Sequence, residues 1–580
     1  MAAENLVSYQ FARFRLDPTR RTLLRDGAPL SVGSKAFDTL LHLVRHHGQV
    51  VSKQDLMRTI WPDTIVEENN LNQNISALRR LLGDTRGENA YIATVPGRGY
   101  QFISSVEIIA APAVESSLPV TLAVLPFENL SGQPDKDYIA DGLTEELITT
   151  IGLIDPEHLR VIGRTTMMSY RRTTKPLHQI SDELQAAYII ESSIRSEGPR
   201  LRITSKLIRV CDNTVLWSMS YDSQPASILE FQQEISRTIS DQVCLRLSPE
   251  RFSALARRQS RNSEAYDFYL RGRHFWNQLS PATTKRASEF FRQAANLDPH
   301  YALAWSGLAD SYTASPINGD APPLTVGPLA RDAAAHAVAS DAALAESQTS
   351  HGFVKFWIDW DWPAAERAFR NAISLDPNYA LAHRMLGIVL SHLQRYEQAQ
   401  QAVARACQLD PLLAGHHALS AQIAFVARKF QQAAQFAHEA ITMDPEFWIG
   451  HMQLAQALQQ LGQNDLALDS LNLAARLSGG NSKTIALRGY LLARNGRPGD
   501  AHEALVMLDK LSAERYVPPA AQALIYAGLD QHDLAFQYLE RALTLRDVHL
   551  AFLPVDPKWD PFRNHQRFQS LLRACGFPRT

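Results

Sequence analysis

The chain has 580 residues, more than one hydrophobic core can organise, so three or four domains are expected. Its composition, 45% hydrophobic and 20% charged, excludes a disordered chain. The net charge of −2 excludes a uniformly basic nucleic-acid-binding protein, although residues 1–105 carry 13 basic against 10 acidic side chains. No run of about 18 apolar residues and no signal peptide is present, which predicts a cytoplasmic protein without a membrane span.

The first region, residues 1–105, begins with short apolar stretches separated by turns over residues 7–32, a pattern that predicts a small antiparallel sheet. Three amphipathic segments then predict helices at 34–48, 52–60 and 66–83. Two β-rich runs around a Pro-Gly-Arg-Gly turn follow at 91–103 and predict a hairpin. Sheet, three helices and hairpin together are the outline of a winged helix-turn-helix.

The third helix, VEENNLNQNISALRRLLG, is unusually rich in amides, which helices do not favour. Apolar residues recur at spacings of 4, 3 and 4 and predict a buried stripe, namely Leu71, Ile75, Leu78 and Leu82. The opposite side presents hydrogen-bonding side chains, namely Asn69, Asn72, Gln73, Ser76, Arg79 and Arg80. Amides can pair with adenine and guanidinium groups with guanine or phosphate, so this face predicts a DNA-reading helix. The alternative is a solvated polar face, the commoner fate of such a helix.

Residues 106–118 are rich in Ala, Ser and Pro and are predicted to be a linker. Residues 119–250 then alternate strand and helix patterns, which predicts a small α/β domain. Strands are expected at 120–127, 159–163, 186–210 (as a hairpin) and 215–222, and helices at 138–154 and 228–247.

An internal repeat dominates the remainder, residues 263–580. The triplets Leu375-Asp376-Pro377, Leu409-Asp410-Pro411 and Met443-Asp444-Pro445 stand 34 residues apart. Leu297-Asp298-Pro299 lies 78 residues before the first of them, and we assign most of the extra ten residues to a loop at 319–328. This period predicts an α-solenoid of seven or eight helix pairs, capped by a C-terminal helix around residues 567–576.

The first region resembles the effector domain of OmpR/PhoB-type response regulators in Gly48-Gln-Val-Val-Ser-Lys53, Leu56, Trp61, Leu78-Arg79 and Gly97-Arg-Gly-Tyr100. The resemblance implies that the third helix enters the major groove and that the hairpin wing touches the adjacent minor groove. It implies DNA contacts by Trp61, Asn69, Asn72, Gln73, Asn74, Ser76, Arg79, Thr94 and Arg98, and the polar face of the third helix adds Arg80 to these predicted contacts. Pro96 and Ser76-Ala77 stand where basic residues are common in that family, which predicts modest non-specific affinity. A receiver domain is not expected before this module.

The other regions carry resemblances too. Residues 120–132 and 138–147 are similar to the TolB-like N-terminal module, which also occurs in cyclase-associated proteins. The repeats resemble tetratricopeptide repeats, with Trp305, Leu308 and Tyr312 at matching positions. The order of the regions resembles that of HilA-like and CadC-like transcriptional activators.

The sequence contains few candidate residues for catalysis or metal binding. An acidic set, Asp135, Asp137, Asp141, Glu145 and Glu146, would suit a metal or acid–base chemistry, but acidic residues also favour a helix's first turn without any chemistry. The four cysteines lie far apart, which predicts free thiols. The HExxH, GxSxG and GxGxxG patterns are absent from the sequence. We therefore expect no catalytic residues, no metal and no cofactor.

The repeat surface is expected to bind a protein or peptide, with polar positions projecting from successive helices at Arg384, Ser391, Gln422, Gln456 and Gln459. The Trp357/Trp360/Trp362 cluster is interpreted as inter-helix packing, with ligand stacking as the alternative. The sequence predicts a sequence-specific DNA-binding transcription regulator controlled through its α/β and repeat regions. RNA polymerase is a candidate partner, and a homodimer a candidate assembly. The alternatives are an interaction scaffold, in which the winged helix binds protein or dimerises, and an enzyme in the middle region.

Overall fold

A computed structural model describes residues 7–18, 22–26, 28–30, 32–60, 68–84, 91–110, 119–156, 158–197, 200–223, 260, 262–278, 281–318 and 321–577. The chain divides into two compact units, Met1–Leu118 and Pro119–Thr580. The fold class predicted from the sequence, a winged helix with an α/β region and a helical repeat, is confirmed.

In its described residues, the first unit contains a five-stranded antiparallel sheet, three helices and a three-stranded sheet. The five-stranded sheet has the order β4-β3-β2-β1-β8, with β1 Val7–Phe11, β2 Phe14–Asp17, β3 Thr22–Arg25, β4 Ala28–Leu30 and β8 Glu107–Ala110. The helices are α1 Ser34–Arg45, α2 Lys53–Ile60 and α3 Glu68–Leu82. The second sheet has the order β5-β7-β6, with β5 Val50–Ser52, β6 Ile92–Val95 and β7 Gly99–Phe102.

One element of this unit corrects the sequence prediction. Residues 107–110 were assigned to a linker, but they form β8 and pair antiparallel with β1. The physical reason is that Ile108 and Ile109 are β-branched residues, which favour a strand when an edge is available for pairing. Pairing with a distant strand edge does not change the composition of a segment. The Ala/Ser/Pro-rich composition of residues 106–118 therefore predicts a linker although part of it forms a strand.

The second unit begins with an α/β region. Its sheet has the order β11-β9-β12-β13-β14, and β10 also pairs with β12. Strands β9, β11 and β12 are mutually parallel, whereas β12, β13 and β14 pair antiparallel. The bounds are β9 Val120–Val124, β10 Glu128–Asn129, β11 Leu159–Val161, β12 Tyr188–Glu197, β13 Arg200–Arg209 and β14 Thr214–Ser223, with helices α4 Asp137–Gly152, α5 Arg164–Met168 and α6 Leu177–Leu184. The helix predicted at 228–247 lies outside the described residues.

From residue 263 onward the described residues form eight helix pairs, in agreement with the predicted seven or eight. They are α7 Ser263–Trp276 with α8 Pro281–Leu297, α9 Ala302–Asn318 with α10 Pro323–Ser340, α11 Ala345–Val354 with α12 Trp362–Leu375, α13 Ala380–His392 with α14 Tyr396–Leu409, α15 Ala414–Val426 with α16 Phe430–Met443, α17 Trp448–Gln460 with α18 Asn464–Leu477, α19 Ser482–Arg494 with α20 Pro498–Ser512, and α21 Pro519–Gly528 with α22 His532–Thr544. The predicted capping helix is α23, Gln566–Ala574.

The extra ten residues of the second repeat are not mainly a loop, contrary to the prediction for 319–328. Residues from Pro323 onward belong to α10, which runs for 18 residues, and α9 runs for 17. Proline is well suited to the first helical position, because its φ is already helical and its missing N–H would have no partner there. The insertion therefore lengthens helices.

The α/β region is docked on the repeats by polar contacts. Glu145 of α4 forms ion pairs with Arg273 of α7 and with Arg164, and accepts a 3.0 Å hydrogen bond from Asn277. Burial acts to raise the pKa of Glu145, but the two arginines outweigh it and the net pKa is lowered. Asp141 pairs with Arg171 and with His274. These two members of the acidic set thus serve as docking contacts.

The triplets that recur every 34 residues also take part in this docking, through Asp410 of one triplet and through Asn378, which directly follows another. The Asp410 carboxylate accepts hydrogen bonds from the backbone N–H groups of Thr166 (2.7 Å) and Thr165 (3.3 Å), at the start of α5. Asn378 donates to the carbonyls of Gly152 (3.2 Å) and Leu159 (3.0 Å). The 34-residue period thus also supplies the surface that holds the α/β region.

Candidate nucleic-acid interface

Helix α3 is divided into an apolar and a polar face. Leu71, Ile75, Leu78 and Leu82 are all buried in the core of the first unit, so the predicted apolar stripe is confirmed. On the outer side a shallow groove of about 380 Å³ runs along the helix and is lined by Asn72, Gln73, Ser76, Ala77 and Arg80. The buried stripe anchors the helix, and the polar face is thereby left open to solvent.

Asn72 is held in a defined orientation. Its Oδ1 accepts a 2.7 Å hydrogen bond from the hydroxyl of Tyr100, a buried residue of β7. An amide whose oxygen is already engaged can still donate through both N–H groups of Nδ2. The geometry therefore presents Asn72 to the groove chiefly as a donor, suited to N7 or carbonyl acceptors on base edges.

Arg79 joins α3 to the wing. Its Nε and Nη2 donate to the carbonyl of Ile92 at 3.1 and 2.8 Å, and Nη2 also donates to the Thr94 hydroxyl at 2.8 Å. The Asp84 carboxylate, just beyond α3, accepts from the backbone N–H groups of Tyr91 and Ile92, each at 3.2 Å. Helix α3 and the wing are thus joined by side-chain hydrogen bonds, and Arg79 keeps only part of its guanidinium for another partner.

The wing is the hairpin of β6 and β7, as predicted. Its turn is closed by a 3.0 Å hydrogen bond from the Arg98 N–H to the Val95 carbonyl, with Pro96 and Gly97 between them. Gly97 has φ +72°, the left-handed conformation that a type II turn requires at this position. Arg98 is exposed at the tip.

Gly99, directly after the tip, is needed for close packing. A Cβ there would lie 2.0 Å from the carbonyl oxygen of Val51 in β5, and its φ of +153° also disfavours other residues. The wing can therefore pair with β5 only if this position is glycine.

The other predicted DNA contacts fall into two groups. Gln73, Ser76, Arg80, Thr94 and Arg98 are exposed, and Asn74 is half-buried. Trp61 and the side chain of Asn69 lie outside the described residues. Sequence reasoning missed Tyr100 and Asp84 as positioning residues. Their signal was weak, because a hydrogen bond between residues 28 apart leaves no periodic pattern.

The positions predicted for the protein-binding groove belong to the second unit. Arg384, Gln422 and Gln456 line one cavity inside the repeats. Ser391 is buried and donates to the Ile388 carbonyl, and Gln459 accepts from Gln460. Gln456 is already engaged, because its Oε1 accepts a 2.6 Å hydrogen bond from Lys558.

The tryptophan cluster packs against the C-terminal part of the chain. Trp362 is fully buried and stacks on Phe577 with ring centroids 4.5 Å apart, and its Nε1 donates to the Cys575 carbonyl at 3.2 Å. Arg546 lies over the Trp360 ring at 3.8 Å. These contacts confirm the packing interpretation for Trp360 and Trp362.

Two further observations concern the described residues alone. No group of three or more His, Cys, Asp and Glu side chains in them is arranged to hold a metal ion. Within the same part of the chain, no helix is both long enough and apolar enough to cross a membrane.

Comparison with known proteins identifies three kinds of region. Residues 27–102 match the family described as "Transcriptional regulatory protein, C terminal", and residues 118–238 match "HilA/YgeH-like transcriptional regulator, second domain". Residues 368–401 and 520–549 each match a tetratricopeptide repeat family.

Individual relatives cover parts of the chain. "Putative adenylate cyclase 3" of Rhizobium meliloti is 31% identical over 202 residues, 35% of this chain and 34% of that protein. "Transcriptional regulator HilA" of Salmonella typhimurium is 28% identical over 295 residues, 50% of this chain and 51% of that protein. The solved DNA-binding domain of E. coli CadC is 29% identical and covers 17% of this chain and 94% of that structure, with a TM-score of 0.16. The chain thus spans about a third of the first relative and about half of the second.

Proposed function

We propose that this chain, which carries an OmpR/PhoB-type DNA-binding domain followed by a HilA-like second domain and tetratricopeptide repeats, is a transcription regulator that reads a specific DNA sequence. One observation carries the proposal. The open face of α3 presents amide, hydroxyl and guanidinium groups along one groove, while the opposite face is locked in the core. A helix with this division can enter the major groove without disturbing its own packing.

The chemistry of the face assigns different roles to its residues. Gln73 makes no hydrogen bond to another described side chain, so its amide can pair bidentately with adenine. Asn72, oriented by Tyr100, donates to a single acceptor on a base edge. Arg80 is placed for guanine or phosphate, and Arg98 for a narrow minor groove.

Few cations take part in this surface, so binding should depend only moderately on salt. Each neutralised phosphate contributes a slope of roughly −0.9 in log K against log salt. With Arg79, Arg80 and Arg98 as the contributors, one module has a slope of about −3. Such a module gains from a second copy on a neighbouring site, which supports a homodimer or tandem operators.

The repeats and the α/β region supply control in this proposal. Stacked repeats are protein-interaction surfaces, which supports a protein partner such as RNA polymerase. A DNA partner supports a cytoplasmic location for the protein. We assign no enzymatic activity, because the matched families are regulators; the relative named a putative adenylate cyclase matches over 34% of its length.

Selection of random duplex DNA by the full chain tests the function. An enriched motif that is lost in an Asn72→Ala/Gln73→Ala double variant is the expected result. The matched control is Gln10→Ala, which removes an exposed amide from β1 and should leave the motif unchanged. If the wild-type chain enriches no motif and is retained only at low salt, the proposal fails and the scaffold alternative takes its place.

A further inference from the structure

The repeats and the chain's own C-terminal segment, residues 548–562, form a half-open cavity of about 300 Å³. Helices α13, α15, α17 and α19 supply much of its wall, and residues of the C-terminal segment line another side. Much of the lining is aromatic, with Trp357, Phe425, Trp448, Phe552 and Trp559 among its side chains. A volume of this size lies at the lower end of small-molecule sites.

The C-terminal segment is fastened over the repeats at several points. Arg428 donates to the Val555 carbonyl at 2.7 Å and pairs with Asp560 at 2.6 Å. Lys558 donates to Gln456 of α17 at 2.6 Å. An extended peptide would have to displace this segment, so the space suits a small molecule better.

One charged group in the cavity wall has no hydrogen-bond or ion-pair partner among the described residues. Arg384 of α13 makes no hydrogen bond or ion pair with another described residue, and its Nε is buried. Its guanidinium lies over Gly415, where an added Cβ would stand 3.5 Å from Cζ and both terminal nitrogens. Burial lowers the pKa of Arg384, but an arginine keeps its charge in proteins. A cation held here therefore lacks the anion that normally accompanies it.

Two more buried polar atoms belong to residues of the same lining. Trp357 Nε1, a donor, has no hydrogen-bond partner among the described residues. His549 is bound through Nδ1 to Asp547 at 2.9 Å, while its Nε2 is buried without a partner in that same set. Buried polar atoms are nearly always satisfied by protein, water or ligand, so these three groups of the lining residues are available to bind water or the polar part of a ligand.

We propose that this cavity binds a small organic carboxylate with an aromatic body. The guanidinium fork of Arg384 matches a carboxylate in two parallel hydrogen bonds. The aromatic walls receive the apolar body by edge-to-face or stacked contacts. In the lining, Lys558 is paired with Asp556, whereas the guanidinium of Arg384 forms no ion pair with any described residue, so the charge available to a ligand there is positive. This site goes beyond the proposed DNA function and does not depend on it.

The test is a titration of the full chain with 4-phenylbutyrate and, separately, with 4-phenylbutan-1-ol, which has the same body without the charge. Calorimetry and tryptophan emission follow binding, since Trp357, Trp448 and Trp559 line the cavity. The acid is expected to bind at least about tenfold more tightly than the alcohol, as one charge-assisted pair predicts. Equal binding of the two, or no binding of either, overturns the proposal.

Three variants locate the site. Arg384→Met should weaken 4-phenylbutyrate binding by about tenfold or more and leave the alcohol unaffected. The control Arg476→Met removes an exposed arginine outside the lining and should change neither affinity. Ala418→Leu fills the cavity and should weaken both ligands, which keeps the test decisive if the first variant fails to fold. Unchanged acid binding in Arg384→Met, or in Ala418→Leu, would assign binding to another place and reject this site.

The titration contains no DNA, so its outcome is separate from that of the DNA selection. An enriched motif with no carboxylate binding rejects the ligand site alone. Carboxylate binding without a motif rejects the DNA-reading function alone.

Discussion

The polar face of α3 and the cavity inside the repeats both carry amide and guanidinium groups, but in different surroundings. On α3 these groups face solvent, and water satisfies those that no protein group binds. In the cavity, Arg384 and Trp357 hold buried polar atoms without a partner. An exposed polar side chain costs almost nothing to keep, whereas a buried unpaired one costs about 1–3 kcal/mol. A polar atom that is buried without a partner therefore gains more from binding a ligand than an exposed one does.

The largest expected effect is a loss of structure in the first unit, which carries α3, while the repeats of the second unit stay folded. Gly99→Val places a side chain against the Val51 carbonyl, so β7 can no longer pair with β5. We expect the first unit to lose about 4 kcal/mol or more of its free energy of unfolding, and the chain to lose DNA binding. Differential scanning calorimetry should show the transition of the second unit unchanged. Gly33→Ala is the control, since nothing lies near its Cβ; an unaltered wing in Gly99→Val would contradict the packing argument.

The next effect concerns another buried polar group of the repeats, Asp310. Burial raises its pKa to about 7, against smaller opposing contributions from Ser350 and Arg273. The folded protein therefore holds a proton on Asp310 between about pH 4 and 7 that the unfolded chain has released. Stability from this residue is present below pH 4 and is lost as the pH rises through 7.

Asp310→Asn removes that loss, and at pH 8 the variant should be roughly 2–4 kcal/mol more stable than the wild type. Urea unfolding at pH 5 and pH 8 measures the difference. Asp469→Asn, which changes an exposed carboxylate of α18, is the control. Equal effects of Asp310→Asn at both pH values would mean that Asp310 is ionised in the folded protein.

A smaller effect tests the orientation of Asn72. Tyr100→Phe removes the hydroxyl that donates to Oδ1, so the amide can rotate and offer its oxygen to a base. We expect stability to fall by about 1 kcal/mol and the preferred base opposite Asn72 to change or relax. Motif selection with this variant measures the change. Tyr91→Phe changes a tyrosine outside the α3 groove and is the control. An identical motif from Tyr100→Phe would show that the hydrogen bond from Tyr100 does not orient Asn72 for base recognition.

The smallest effect is expected at the wing tip. Arg98→Ala should weaken binding to operators with A·T-rich flanks by about 1 kcal/mol, and to G·C-rich flanks by less, because narrow minor grooves attract arginine. Competition binding at one salt concentration compares the two flanks. Arg58→Ala, an exposed arginine of α2 paired with Asp55, serves as the control for general charge loss. Equal weakening on both flanks would assign Arg98 to phosphate contact.

Much of the architecture could be predicted because local patterns carried it. The spacing of Leu71, Ile75, Leu78 and Leu82 identified the buried side of α3, and the 34-residue triplets identified the repeats. Pairing of β8 with β1 could not be predicted, since it depends on a free strand edge about 100 residues earlier. The helical character of residues 323–328 was also missed, because proline there begins a helix.

The sequence by itself determined the periodicities: which faces are apolar, how many repeats follow, and which side chains could read DNA. These features depend only on residues that are close together in the chain, within one helix or one repeat, so they can be recognised from the sequence. Only the tertiary structure decided which polar groups are already engaged. Asn72 meets Tyr100, Glu145 meets Arg273, and Gln456 meets Lys558 across 28, 128 and 102 residues of chain. Hydrogen bonding is short-ranged in space but indifferent to separation along the chain, so the unpaired state of Arg384 becomes visible only after folding.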